Sequence, residues 1–146
     1  MLYELDIDYG LNNEKICIDK IEKFFNEKLV KLDYYNDFDF TNSDNTLLIE
    51  LKSRRCKISD YNDTIISISK INKSRKIVKT KGNKTKIYFF FYFTNNDLYY
   101  WMYDHKIDLR IDNIEYRNQR KINYYIPTAL LKKSIKIFCI YNVKTN

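Results

Sequence analysis

The chain is expected to fold as a single α/β domain over residues 1–146, and three observations say so. Apolar residues recur at helical spacing in residues 13–32, two strand-like runs at 34–41 and 46–52 flank a short polar turn, and IYFFFYF at 87–93 is an uninterrupted aromatic run. A length of 146 residues suits one sizeable core, and 45% hydrophobic with 16% aromatic content is far from the profile of disordered chains.

In residues 13–32, NEKICIDKIEKFFNEKLVKL, the stripe is Cys17, Ile21, Phe24, Phe25, Leu29 and Leu32, with Asn12 or Asn13 available as N-cap. Glu14 projects onto that apolar arc while Glu22 lies at its edge; a glutamate in a first turn also complements the helix dipole. Next, N-S-D-N at 42–45 joins the two strand-like runs as a tight hairpin. Residues 60–76, DYNDTIISISKINKSRK, set Tyr61, Ile65, Ile68 and either Ile71 or Asn72 on one side with Asp60 as a cap, and predict a second helix. KTKGNKTK at 79–86 predicts a loop, IYFFFYF a central strand, TNND a turn and LYYWMYD at 98–104 a further strand. IDLRID and INYYI, within 107–126, alternate like edge strands; Pro127 stops pairing, and TALLKKSIKIF can begin a short helix at Thr128.

Lys plus Arg exceed Asp plus Glu by 26 to 19, giving +7, a balance that suits a polyanion such as nucleic acid or an anionic surface. Lys, Asn, Ile and Tyr fill roughly half the chain and all have A/T-rich codons, so charge alone does not decide for nucleic acid. Cys17, Cys56 and Cys139 lack C-x-x-C spacing and read as reduced thiols of an intracellular protein, whether in cytoplasm, nucleus or a viral factory. MLYELDIDYG has acids and no apolar h-region, and no apolar run approaches the roughly 18 residues of a membrane span, so no membrane partner is expected. His105 is the only histidine, and there is no Gly-rich phosphate loop, so paired-histidine metal chemistry and nucleotide hydrolysis are not expected.

The chemistry concentrates in DFDFTNSDNTLLIELKSRR, residues 37–55. Strand alternation gives Glu50 and Lys52 one face and Ile49 and Leu51 the other, and likewise groups Asp37, Asp39 and Thr41 opposite Phe38 and Phe40. A two-residue loop at Asp44-Asn45 sets Asp39 opposite Glu50, and one at Ser43-Asp44 sets Asp37 there; Asp-Asn is the better type I′ pair, which favours Asp39. Two carboxylates about 4 Å apart repel by roughly 4 kcal/mol at an effective dielectric of about 20, so a counter-charge is needed. Oxygen ligands without His or Cys select Mg²⁺ or Mn²⁺, and Lys52 beside them would help activate water or neutralise a phosphoryl transition state.

The order helix, D-F at a strand end, turn, then I-E-L-K and basic residues resembles the PD-(D/E)-x-K nuclease superfamily, which includes restriction endonucleases and Holliday-junction resolvases. The likeness runs over residues 10–104 and is similar to small nucleases of large DNA viruses and phages. It rests on about four diagnostic positions, with Asn36 or Phe38 where the family has proline. The resemblance implies an αβββαβ restriction-endonuclease-like core, a central mixed sheet flanked by helices. It implies Asp39 and Glu50 as metal ligands, Lys52 as the catalytic lysine, Glu14 as a helix carboxylate joining the cluster, Mg²⁺ or Mn²⁺ as cofactor, and admits a homodimer.

Residues 70–86 hold eight Lys or Arg and no acid, after Arg54, Arg55 and Lys57. Such a run suits a phosphate backbone, with Lys70, Lys73, Arg75 and Lys76 as further contacts, and nothing in it reads as base recognition. The sequence therefore predicts a metal-dependent endodeoxyribonuclease selective for structure or context, with RNA not separated from DNA. The alternative is a non-catalytic nucleic-acid-binding module on the same fold, followed by a protein-interaction domain.

Overall fold

A computed structural model of the chain describes residues 2–116 and 119–134, and within them the fold is mixed α/β. A helix α1 (Leu2–Phe25) leads into strands β1 (Val30–Lys31), β2 (Phe40–Thr41) and β3 (Leu47–Ser53), then β4 (Asp63–Ser67) and helix α2 (Ile68–Lys81). Strands β5 (Lys86–Tyr92), β6 (Leu98–Met102), β7 (Arg110–Tyr116), β8 (Gln119–Pro127) and β9 (Lys132–Lys133) follow. They form a six-stranded mixed sheet, β1-β2-β3-β5-β6-β9, and a separate three-stranded sheet, β4-β8-β7. Among the described strands only β3 and β5 pair in parallel, Glu50 with Phe89 and Lys52 with Phe91, and the α2 segment is the crossover that this pairing requires.

Alternation in β5 explains why the large sheet is covered twice. Phe90 and Tyr92 pack with Cys17, Ile21, Ile49 and Leu51 beneath α1, whereas Ile87, Phe89, Phe91 and Phe93 pack with Ile66, Ile71, Trp101 and Ile126 beneath α2 and the second sheet. An aromatic run reads as a two-sided central strand because both of its faces are buried, as expected of IYFFFYF.

Several boundaries differ from the sequence reading, each for a local reason. The first helix spans Leu2–Phe25, not 13–32: Asn26 takes φ 53°, the N–H of Glu27 reaches back to the Glu22 carbonyl at 3.2 Å, and the chain leaves the helix. Leu29 is still buried, as the entry to β1. The predicted helix over 60–76 is a single 3₁₀ turn at Ile58–Asp60, then β4, then α2 from Ile68. The β-branched Thr64-Ile65-Ile66 favours extended backbone, and Ser67 is the N-cap in place of Asp60. Helix α2 then runs through the predicted loop to Lys81 and stops at Gly82, whose φ of 60° allows its N–H to bond the Val78 carbonyl. The expected edge strands near 107–126 pair with each other and, through β8, with β4, so β8 is the centre of a second sheet. After Pro127 a 3₁₀ turn at Thr128–Leu130 and β9 replace the start of the predicted helix; residues 135–138 of that helix lie outside the described residues.

No helix among the described residues is long and apolar enough to cross a membrane.

Candidate active site

The hairpin register determines what the acidic turn assembles. Phe40 pairs with Ile49 and Thr41 with Leu48, so Asp39 continues the ladder opposite Glu50, and its N–H bonds the Ile49 carbonyl at 2.8 Å. The expected register therefore holds, though by a different turn. Only Asn45 is left-handed, φ 56°, and the Asn45 N–H bonds the Asn42 carbonyl at 3.3 Å, which is not the type I′ pair expected at Asp44-Asn45. The buried Asn42 carboxamide oxygen accepts the N–H of Thr46 at 2.9 Å and of Leu47 at 3.2 Å, and its nitrogen donates to Thr46 Oγ1 and Glu27 Oε1. One side chain thus holds the turn closed.

The expected grouping upstream of Asp39 is only partly kept. Phe38 and Phe40 enter opposite cores because the backbone bends at residues 36–39 before β2 begins, so Asp37 leaves the face that Asp39 occupies. The Asp37 carboxylate is half exposed and meets Lys73 Nζ at 3.5 Å, while its carbonyl accepts from Lys70 Nζ.

A cleft of about 650 Å³ opens between the first half of α1, the residues after β1 and the end of β3. Glu14, Lys31, Asp39, Glu50, Lys52, Arg54, Arg55 and Lys70 all line it. At its floor Glu50 is only 3% exposed and is flanked by two ammonium groups, Lys52 Nζ on Oε1 and Lys70 Nζ on Oε2, both at 3.2 Å. Burial pushes the Glu50 carboxyl above its ordinary value, an effect opposed by Lys52 and Lys70 and reinforced by the negative charge of Asp39. Asp39 accepts the Leu51 N–H on Oδ2 at 2.7 Å and faces Lys31 Nζ at 3.9 Å through Oδ1. The backbone N–H between Glu50 and Lys52 thus orients the Asp39 carboxylate.

Glu14 of α1 joins from the opposite wall. Its carboxylate accepts from Lys31 Nζ, and burial raises its pKa, with Lys31 lowering it and Asp39 raising it again. Glu14, Asp39 and Glu50 therefore form a chain of carboxylates interleaved with Lys31, Lys52 and Lys70. They do not converge on one point: among the described residues no group of three or more His, Cys, Asp or Glu side chains is assembled that could hold a metal ion.

The residues expected to grip phosphate divide. Lys70 reaches the cleft floor, and Arg55 lines the wall with its guanidinium 4.5 Å from the Tyr9 ring centroid. Arg54 lines the cleft too, but its Nε donates to Thr64 Oγ1 at 3.0 Å, its Nη2 to the Ile65 carbonyl, and its plane lies 5.7 Å from the Phe91 ring, so it ties β3 to β4. Lys57 and Lys76 are exposed outside the cleft lining, and Lys73 is held by Asp37. Arg75 faces a different, smaller cavity of about 240 Å³ bordered by Tyr103, His105 and Tyr124.

Lys31 is the site residue that sequence reading missed, because it sat inside the predicted first helix; Asn26, a residue tolerant of positive φ, was the signal that the helix stops earlier. Lys70 was expected as a phosphate contact, and the structure adds Glu50 as its partner. It lies in the first turn of α2, where the helix dipole disfavours a cation, and its two partners, Glu50 and the Asp37 carbonyl, account for its position.

No protein-family model matches the chain, nor does any curated protein or solved structure.

Proposed function

We propose that the protein is a metal-dependent endonuclease that hydrolyses DNA phosphodiester bonds, built on a restriction-endonuclease-like plan. The observation that carries this reading is that Asp39, Glu50 and Lys52 line one cleft, with Glu50 almost wholly buried and Lys52 3.2 Å from it. The order α1, antiparallel β1-β2-β3, α2 and then β5 parallel to β3 supports the proposed plan.

Asp39 and Glu50 would hold the cation. Two carboxylates set opposite each other across the hairpin and lining one cleft fit Mg²⁺ or Mn²⁺, which take one or two carboxylates and keep waters and substrate oxygens in the remaining positions. Such an ion, when bound, supplies Lewis-acid stabilisation of the phosphoryl oxygens and a more acidic water. The chain's own part is electrostatic and positional. The Leu51 N–H holds Asp39 in one orientation, and Glu50 keeps the Lys52 ammonium at the cleft floor, where it can hydrogen-bond an attacking water or a non-bridging oxygen. Lys70 offers a second cation to the same phosphate, and Glu14 with Lys31 closes the opposite wall.

Purified protein is expected to cleave DNA in Mg²⁺ or Mn²⁺ but not in EDTA, and Asp39→Ala, Glu50→Ala and Lys52→Ala, checked by circular dichroism for folding, are expected to be inactive. Cleavage that survives all three folded variants sinks the assignment. One observation favours a second reading, a non-catalytic nucleic-acid-binding module: Glu14, Asp39 and Glu50 each already have an ammonium partner within the chain. Salt-sensitive binding that is the same with and without EDTA, without any cleavage, would decide for it.

A further inference from the structure

At the mouth of the cleft the segment from Asp33 to Asp37 presents two adjacent aromatic rings. Tyr34 and Tyr35 are 86% and 93% exposed, their rings edge-to-face with centroids 5.6 Å apart, and Tyr34 lines the cleft. Single exposed aromatics are ordinary, but this pair sits on a built support. Asp33 Oδ1 accepts the Tyr35 N–H at 3.1 Å, the Asp33 carbonyl accepts the Asn36 N–H at 3.1 Å, and Asn36 Oδ1 accepts the Phe38 N–H at 3.2 Å. Leu32 on one side and Phe38 on the other are packed in the same core, so the loop is rooted at both ends. Across the cleft, Tyr9 offers a further ring, with the Arg55 guanidinium over it.

We infer that Tyr34 and Tyr35 form a base-stacking element that selects DNA with unpaired bases beside the scissile phosphate, a selectivity that rests on the nuclease reading above. A phosphate drawn to Lys52 and Lys70 brings the bases flanking it to the cleft mouth, where these rings stand. In a duplex each base has both π-faces covered by its neighbours, so exposed tyrosines gain little from it; an unpaired base has a face to offer. The chemistry is complementary: ammonium groups for the backbone at the floor and phenol rings for bases at the rim.

The test uses the full chain in EDTA, so that binding is measured without cleavage, with a short labelled single strand and the duplex of the same sequence. Fluorescence anisotropy should show the wild type preferring the single strand. Tyr34→Ala combined with Tyr35→Ala should lose about tenfold or more in single-strand affinity, in line with the range measured for base–aromatic stacking, and change duplex affinity by less than about twofold. The corresponding pair of Tyr→Phe substitutions should keep the preference, and a fluorescent base analogue in the strand should be quenched by the wild type and the Phe variant but not by the Ala variant. An Ala variant that binds both DNAs as the wild type does, or loses both equally, overturns the inference and leaves the nuclease reading standing. A wild type that binds neither DNA at low salt overturns both.

Discussion

Glu50 holds a conflicted position: it is a carboxylate buried between two lysines. A carboxylate 3% exposed is disfavoured by desolvation, and although two lysines stand 3.2 Å away its pKa remains above the ordinary value. A raised pKa means that the native state binds the proton more tightly than the unfolded chain. Stability therefore declines as pH rises from the ordinary carboxylate value through the native one, and the full penalty applies above it. Glu50→Gln, nearly the same shape without the charge, should melt at a higher temperature than the wild type at pH 7, with the gap closing as the pH falls below the ordinary carboxylate range. If Glu50 is a metal ligand, the same variant should lose cleavage by more than the roughly 10–100-fold typical of outer-shell partners in metal sites. A variant that melts lower at neutral pH would show that the lysine pairs outweigh desolvation. The motif residues themselves were legible, because strand alternation and hairpin register depend on local sequence: Asp39, Glu50 and Lys52 meet as read. Lys31 was not, since its contact with Glu14 crosses 17 residues of chain and depends on where the first helix ends; Lys70 was read as a phosphate contact, but its pairing with Glu50, 20 residues away, was not.

At the scale of elements, the hairpin is what holds the site in register, and Asn42 holds the hairpin. Its side chain accepts two backbone N–H groups and donates to two further oxygens while only 4% exposed. Asn42→Ala leaves the Thr46 and Leu47 N–H groups without that acceptor, which should cost about 2 kcal/mol and appear as a lower urea midpoint with unchanged slope. A loss within about 0.5 kcal/mol would mean that the turn closes without it. Because Asp39 and Glu50 lie on opposite strands of that hairpin, the variant should lose activity at temperatures where it is still folded. The β4–α2 boundary shows why element limits were harder to read than element types. Ile65, Ile68 and Ile71 carry helical spacing across it, yet Thr64 and Ile66 face inward alternately in β4, paired with β8 about sixty residues later. A pairing of that range has no local signature, and it overrides the periodicity.

At the scale of the molecule, two neighbouring arginines that look alike in sequence should separate into different roles. Arg54 directly follows β3 of the large sheet and donates into β4 of the small one, with Phe91 beneath its plane, so it is a strut between the sheets. Burial lowers its pKa, with Cys56 and Glu50 raising it, which marks a guanidinium largely removed from water. Arg54→Ala removes two charge-assisted hydrogen bonds and should destabilise the fold by about 3 kcal/mol. With urea slopes of about 1–3 kcal/mol per molar for domains of this size, the midpoint should drop by more than about 1 M. Arg55 is exposed and lies over Tyr9 on the cleft wall, so Arg55→Ala should leave the midpoint almost unchanged. Its effect should appear in DNA binding instead: weaker at low salt, with the slope of log affinity against log salt reduced by about one phosphate contact. Urea titration and salt-dependent anisotropy on the two variants make the comparison complete. If Arg55→Ala unfolds the protein as readily as Arg54→Ala, the wall of the cleft is structural; if Arg54→Ala keeps its stability and changes the salt slope, the strut is in truth a phosphate contact.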